Sequence, residues 1–158
     1  MDKIQLKIYN KSNMPNPEYQ TSGAAAFDIY CSETVDIPPL TTLALPTGLH
    51  FIVPVGYEAQ LRLRSSAGAK GLLMPNAPGT IDSDYRGQIQ ILIRNITADN
   101  ITVVGGERIA QCLVKEAPQV VIENIPENEF YTLANKTLRS EGGFGSTGTT
   151  SPRNIFDK

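Results

Sequence analysis

The sequence predicts an all-β fold, a jelly-roll-like β sandwich or barrel with an extended, flexible C-terminal arm. Three observations point there. Apolar residues recur at every second position through most of the chain, turn-forming residues break that pattern at fairly regular intervals, and no amphipathic helix longer than about one turn can be drawn. In chain order, Ile4, Leu6 and Ile8 line one face of a first strand, and Ala25 to Tyr30 and Thr41 to Leu45 follow as short strands. Leu49, Phe51 and Val53 share a face, as do Tyr57, Ala59, Leu61 and Leu63, and again Ile89, Ile91 and Ile93, because successive strand side chains point to opposite sides. Further strands are expected over Ile101 to Val104, Ile109 to Lys115 and Val120 to Ile125. The breaks read PVG, PNAPG, TADN and VGGE, which supply the fixed or positive φ values that turns require. Ser66 to Lys70 is the best candidate for a helical turn. From about Glu127 the apolar content decays and Gly, Ser, Thr and Asn accumulate. The expected organisation is therefore a single β domain over residues 1–126, an arm over 127–148, and a tail over 149–158 whose role stays open.

At 158 residues the chain is long enough for one domain to bury a sizeable core. Its 14 basic and 16 acidic residues leave a formal charge of −2, which argues against a broad basic face for nucleic acid. A few arginines suffice for a small anionic ligand. The two cysteines, Cys31 and Cys112, lack metal-binding spacing and read as reduced thiols, Cys112 as a small apolar side chain. The N-terminal MDKIQLKIYN alternates in place of a basic start and an apolar block, and no stretch approaches the ~18 apolar residues of a membrane span. A cytoplasmic location away from the membrane is expected.

His50 is the only histidine, so a Ser–His or Cys–His nucleophilic pair would depend on that one ring. Its place on an alternating strand reads as structural or exposed. The densest group of candidate bases is GTIDSDYRG, Gly79 to Gly87, where Asp82 and Asp84 would share a strand face. On composition alone, a plain hairpin turn with solvated acids is the favoured reading of the same residues. In RLRSSAGAKG, Arg64, Ser65, Ser66 and Gly68 combine a guanidinium, two hydroxyls and accessible N–H groups, a set that suits phosphate oxygens without the spacing of a P-loop. GERIAQCL adds Arg108 and Gln111 at a strand entry, and alone reads as structural. GGFGSTG, Gly142 to Gly148, would ordinarily be a solvated linker.

Taken in order, AAFDI, RSSAG, NAPGTIDSDYRG, GERIAQ and RSEGGFGSTG resemble the five motifs of the homotrimeric dUTP pyrophosphatases, from about Ile4 to Gly148. The resemblance implies a jelly-roll-like trimer whose active sites each draw on all three subunits and hydrolyse dUTP to dUMP and pyrophosphate with Mg²⁺. That activity keeps uracil out of DNA and supplies dUMP for thymidylate synthesis. It implies that Asp82 activates a water for in-line attack on the α-phosphorus, and that Asp28 helps hold the hydrated metal. Asn76, Gly79 and Ile81 fall in the uracil-binding hairpin, and Tyr85 matches the aromatic under the deoxyribose. Arg64, Ser65 and Gln111 match phosphate ligands, and Ser66 stands where many members have glycine. In the arm, Phe144 would stack on uracil, Gly145 would track the triphosphate, and Arg139, Ser146 and Thr147 would meet the γ-phosphate. The glycine-rich segment then becomes a lid on a neighbouring subunit's site. Leu63 replaces a common proline and Ala26 a common glycine. The related dCTP deaminases share RSS but carry a catalytic glutamate where this chain has Leu92, which cannot shuttle a proton.

Overall fold

The computed structural model describes residues 4–137 and 139–143 of the chain. They fall into two units, Met1–Gln119 and Val120–Lys158. The first is the jelly-roll-like β sandwich, with every strand pair antiparallel. Its four-stranded sheet orders β2 (Phe27–Tyr30), β11 (Arg108–Glu116), β6 (Tyr57–Leu63) and β8 (Gly79–Ile81). A three-stranded sheet orders β4 (Thr42–Pro46), β9 (Gln90–Asn95) and β7 (Leu72–Leu73), and β1 (Lys7–Asn10) pairs with β5 (Leu49–Ile52). The fourth set joins β10 (Ile101–Val103) to β3 (Val35–Ile37). Neighbours in space are mostly distant in sequence, so the register rests on burial of alternate side chains and less on tight hairpins.

The predicted alternation becomes the core. Ile29 from β2, Leu45 from β4, Phe51 from β5, Ile91 and Ile93 from β9 and Ile109 from β11 are all buried, and the rings of Phe27 and Phe51 meet edge-on at 6.4 Å. Cys31 and Cys112 are buried within it. Desolvation pushes both thiols up, Cys112 to about 12 against a backbone hydrogen bond from Gln60 that pulls the other way, so neither is a nucleophile at neutral pH.

Four polar residues are buried among the described ones, Asp28, Thr47, Gln60 and Asn95. Asn95 is fully buried, and its Nδ2 donates to the carbonyls of Ile37 at 2.9 Å and Asp99 at 2.7 Å. Its Oδ1 accepts from the N–H of Thr97 at 2.9 Å and from the Thr97 hydroxyl at 2.8 Å. The amide thereby locks the end of β9 to β3 and shapes the turn before β10. Asn95→Ala leaves these groups unpaired in a dry site, and is expected to destabilise the fold by about 2–4 kcal/mol in urea unfolding.

Two expectations are corrected. Val120 to Ile125 belongs to none of the ladders among the described residues, and Val120, Val121 and Ile122 are 75%, 97% and 92% exposed. An apolar β-prone run becomes a strand only where a sheet edge accepts its hydrogen bonds. The arm region opens with α2, Glu127–Ala134, two turns of helix where extended chain was expected. Pro126 stands extended at its N-cap, and Glu127 and Glu129 sit in the first turn, where negative charge complements the helix dipole. No residue of α2 is buried, and its apolar side chains Phe130, Tyr131 and Leu133 stay about half exposed. Finally, β8 stops at Ile81, and Asp82 to Tyr85 form a turn closed by the Tyr85 N–H on the Asp82 carbonyl at 3.2 Å. The hairpin-turn reading of the two acids therefore holds, and they do not share a strand face.

Candidate active site

The predicted site residues separate into two groups at opposite ends of β6. At one end β6 runs into Arg64 and the short helix α1, Ser65–Ala69. The Asp28 side chain, 10% exposed, lies between two guanidiniums. Arg64 Nε meets Asp28 Oδ1 at 3.2 Å and Arg108 NH1 meets Oδ2 at 3.1 Å. Arg64 NH1 also donates to the Arg108 carbonyl at 3.1 Å, and Arg108 NH1 to Gln20 Oε1 at 2.8 Å. The carboxylate thus fixes both arginines in orientation while about a third of each side chain stays open to solvent. Two positive charges against one negative leave an oriented cationic platform, suited to bidentate contact with phosphate oxygens. Gln111 pairs in register with Asp28 on one side and Arg62 on the other, which puts it on the same sheet face. Ser65 and Ser66 are exposed at the start of α1, whose geometry leaves their N–H groups without intrahelical partners.

Arg108 belongs to this group although sequence reasoning assigned no role to it. Strict alternation puts residues 108 and 111 on opposite faces. In the structure Gln111 opposes Asp28 and Ala110 opposes Ile29, but Arg108 opposes Tyr30, so Ile109 is an extra residue in the ladder. That bulge turns Arg108 onto the face of Gln111 and Asp28, and leaves Ile109 and Ala110 as adjacent buried residues.

At the other end of β6, Ala59 pairs with Ile81, so Asp82 emerges beyond that pair beside Glu58. Asp82 and Asp84 are exposed, and with Tyr57, Glu58 and Gln119 they line a groove of about 680 Å³. Gly79 is buried in the hairpin with Asn76 over it. A Cβ there would lie 3.4 Å from both Asn76 Nδ2 and Leu61 Cβ, at the near edge of ordinary van der Waals contact, so the hairpin packs closely there. The Tyr85 ring is 45% exposed and its hydroxyl donates to the Gln88 carbonyl at 3.0 Å. It folds back over Gly87, where any Cβ would strike the ring at 2.3–2.9 Å. Leu92, the position of the deaminase glutamate, is a half-buried strand residue opposite Ala44.

Asp82 and Arg64 thus lie about six residues apart along β6, roughly 20 Å at the usual strand rise. Within one chain the Asp82 carboxylate and the Arg64 guanidinium therefore stand at opposite ends of the strand. Arg139 donates Nε–H to the Gly142 carbonyl at 2.8 Å within the second unit. Phe144, Gly145, Ser146 and Thr147 lie outside the described residues. The Mg²⁺ implied by the resemblance has no ready-made cage, since among the described residues no three His, Cys, Asp or Glu side chains cluster for a metal. Asp28 spends one lone pair of each oxygen on an arginine, and its remaining lone pairs fit a metal-bound water in preference to direct ligation.

The model of the dUTPase family matches residues 11–148. The chain belongs to the dUTPase family. Among curated dUTPase relatives, the deoxyuridine 5'-triphosphate nucleotidohydrolase of Wolinella succinogenes is 43% identical over 94% of this chain and 97% of its own. That of Wolbachia pipientis is 41% identical over 93% and 97%. The fold is similar to the dUTPase of Staphylococcus bacteriophage 80alpha with dUPNHPP, at a TM-score of 0.81 and 25% identity over 92% of this chain and 99% of that one. The phage phi11 dUTPase of S. aureus superposes at 0.72 with 21% identity over 78% and 97%. No helix among the described residues of this dUTPase-family chain is long and apolar enough to cross a membrane.

Proposed function

We infer that the protein is a dUTP diphosphatase, hydrolysing dUTP and water to dUMP and pyrophosphate, with sites assembled from several copies of the chain. The observation that carries this reading is the separation of its two half sites. A base-bearing hairpin and a phosphate-binding platform, both complete in their residues, stand at opposite ends of one strand. A homotrimer in which the hairpin of one subunit faces the platform of the next joins them, and the arm of the third closes over the substrate.

In that assembly Asp82 accepts a proton from a water held in line with the α-phosphorus, and the water oxygen displaces pyrophosphate. Arg64, Ser65, Ser66 and Gln111 bind phosphate oxygens, with Arg108 and Asp28 keeping Arg64 oriented, so that most of the barrier reduction comes from positioning and charge stabilisation. Asp28 would hold Mg²⁺ through water, and the metal, when bound with the triphosphate, would supply charge neutralisation for the leaving pyrophosphate. The backbone of the Asn76 to Tyr85 hairpin, with Gly79 and Ile81, reads uracil. Cytosine presents the reversed donor and acceptor and would leave buried polar groups unpaired. Tyr85 lies under the deoxyribose and leaves no room for a 2′-hydroxyl. Arg139, Phe144, Gly145, Ser146 and Thr147 supply the closing arm. The reading entails a cytoplasmic enzyme of nucleotide metabolism with no nucleic-acid or membrane partner.

Pyrophosphate release tests the reaction, with dCTP, dTTP and UTP beside dUTP. Release from dUTP alone is the expected result. Ammonia from dCTP, or tight dUTP binding with no turnover, would replace it by a deaminase or a binding module.

A further inference from the structure

His50 lies outside all five motifs, yet the structure connects it to the substrate hairpin. Its ring packs beside Tyr9, its register partner on β1, with centroids 5.7 Å apart, and its Nδ1 lies 3.1 Å from the Arg86 carbonyl oxygen. A carbonyl oxygen only accepts, so the contact requires the hydrogen on Nδ1. Three further bonds bind the same stretch to the β4–β5 corner. The Ile89 N–H donates to the Leu49 carbonyl at 2.7 Å, the Thr47 hydroxyl to the Ile89 carbonyl at 2.6 Å, and the Gly48 N–H to Gln88 Oε1 at 3.2 Å. Within the turn, Arg86 NH1 donates to the carbonyls of Ser83 at 2.8 Å and Tyr85 at 2.7 Å, and the Tyr85 hydroxyl to Gln88.

The Tyr85 ring is therefore held at its backbone through Arg86 and at its hydroxyl through Gln88, and both holds lead back to β5. Core packing cannot do this work, because the ring is half open to solvent. Of the four bonds to the corner, the one from His50 lies closest in sequence to Tyr85. We propose that His50 is a positioning residue for sugar selection. By gripping the Arg86 carbonyl it fixes the height of the Tyr85 ring, and so the room left for a ribose 2′-hydroxyl. The proposal rests on the reading of Tyr85 as the surface under the deoxyribose.

The test compares kcat/KM for dUTP and UTP in the full-length wild type, His50→Phe, His50→Asn and Tyr85→Ala. Phenylalanine keeps the ring beside Tyr9 and removes only the donor, whereas the asparagine amide nitrogen takes the place of Nδ1. The expected result is a dUTP-over-UTP preference lowered about ten-fold in H50F, with kcat on dUTP little changed, and restored toward wild type in H50N. A merely structural role would lower stability without moving that ratio. His50→Leu, which also removes the donor to the Arg86 carbonyl, supplies the test if H50F does not fold. Wild-type preference in H50F, or in H50L in its place, beside a lost preference in Y85A overturns the role of His50. Wild-type preference in Y85A overturns instead the reading of Tyr85 on which the proposal stands.

Discussion

Asp82→Asn is expected to bind dUTP nearly as the wild type does while kcat falls by roughly three orders of magnitude, within the range a positioned general base contributes. Asparagine keeps the size and one acceptor oxygen of the side chain and loses the ability to take a proton from water. The residue is exposed in the turn after β8, so the substitution leaves the fold and the uracil hairpin in place. Equilibrium binding of a non-hydrolysable dUTP analogue, set against single-turnover cleavage of dUTP, separates the two effects. A kcat comparable to wild type would remove Asp82 from the catalytic role.

Mixing two inactive chains should restore activity. Asp82→Asn damages the hairpin end of β6, and Arg64→Gln damages the platform end, roughly 20 Å away. If each site takes its carboxylate from one subunit and its arginine from another, an equal mixture unfolded and refolded together forms intact sites whenever the first comes from an R64Q chain and the second from a D82N chain. Random assortment makes that about a quarter of all sites, so about a quarter of wild-type activity returns from two preparations each nearly inactive alone. A site complete within one chain gives no recovery. Sedimentation or light scattering of the same mixture reports whether the chains assembled, and thereby separates failed assembly from a site contained in one chain.

The sandwich was legible because its strands bury one face each. Phe51, Val53, Ile89, Ile91 and Ile93 are where period-two reading puts core residues, and all are buried. The five motifs were legible for a different reason, as local strings whose residue types match a known series. What the sequence did not disclose lies in relations between strings. Arg108 joins the platform only through the bulge at Ile109, which a strict alternation hides. His50 meets Arg86 across 36 positions, and nothing local to either residue signals that contact. Helix α2 escaped because its apolar group of Phe130, Tyr131 and Leu133 spans only two turns inside a polar stretch, and Val120 to Ile125 was expected as a strand because propensity alone does not supply a partner edge.

The strand β6 has a genetic consequence. If each site is shared between subunits as proposed, alleles that damage its two ends, one at the Asp82 hairpin and the other at Arg64, are expected to fall into separate complementation groups within a single gene, each rescuing the other in a merodiploid cell. Alleles in the middle of the strand, where Leu61 and Ala59 are buried, belong to neither group. They shift both ends together, and no second allele supplies what they lack.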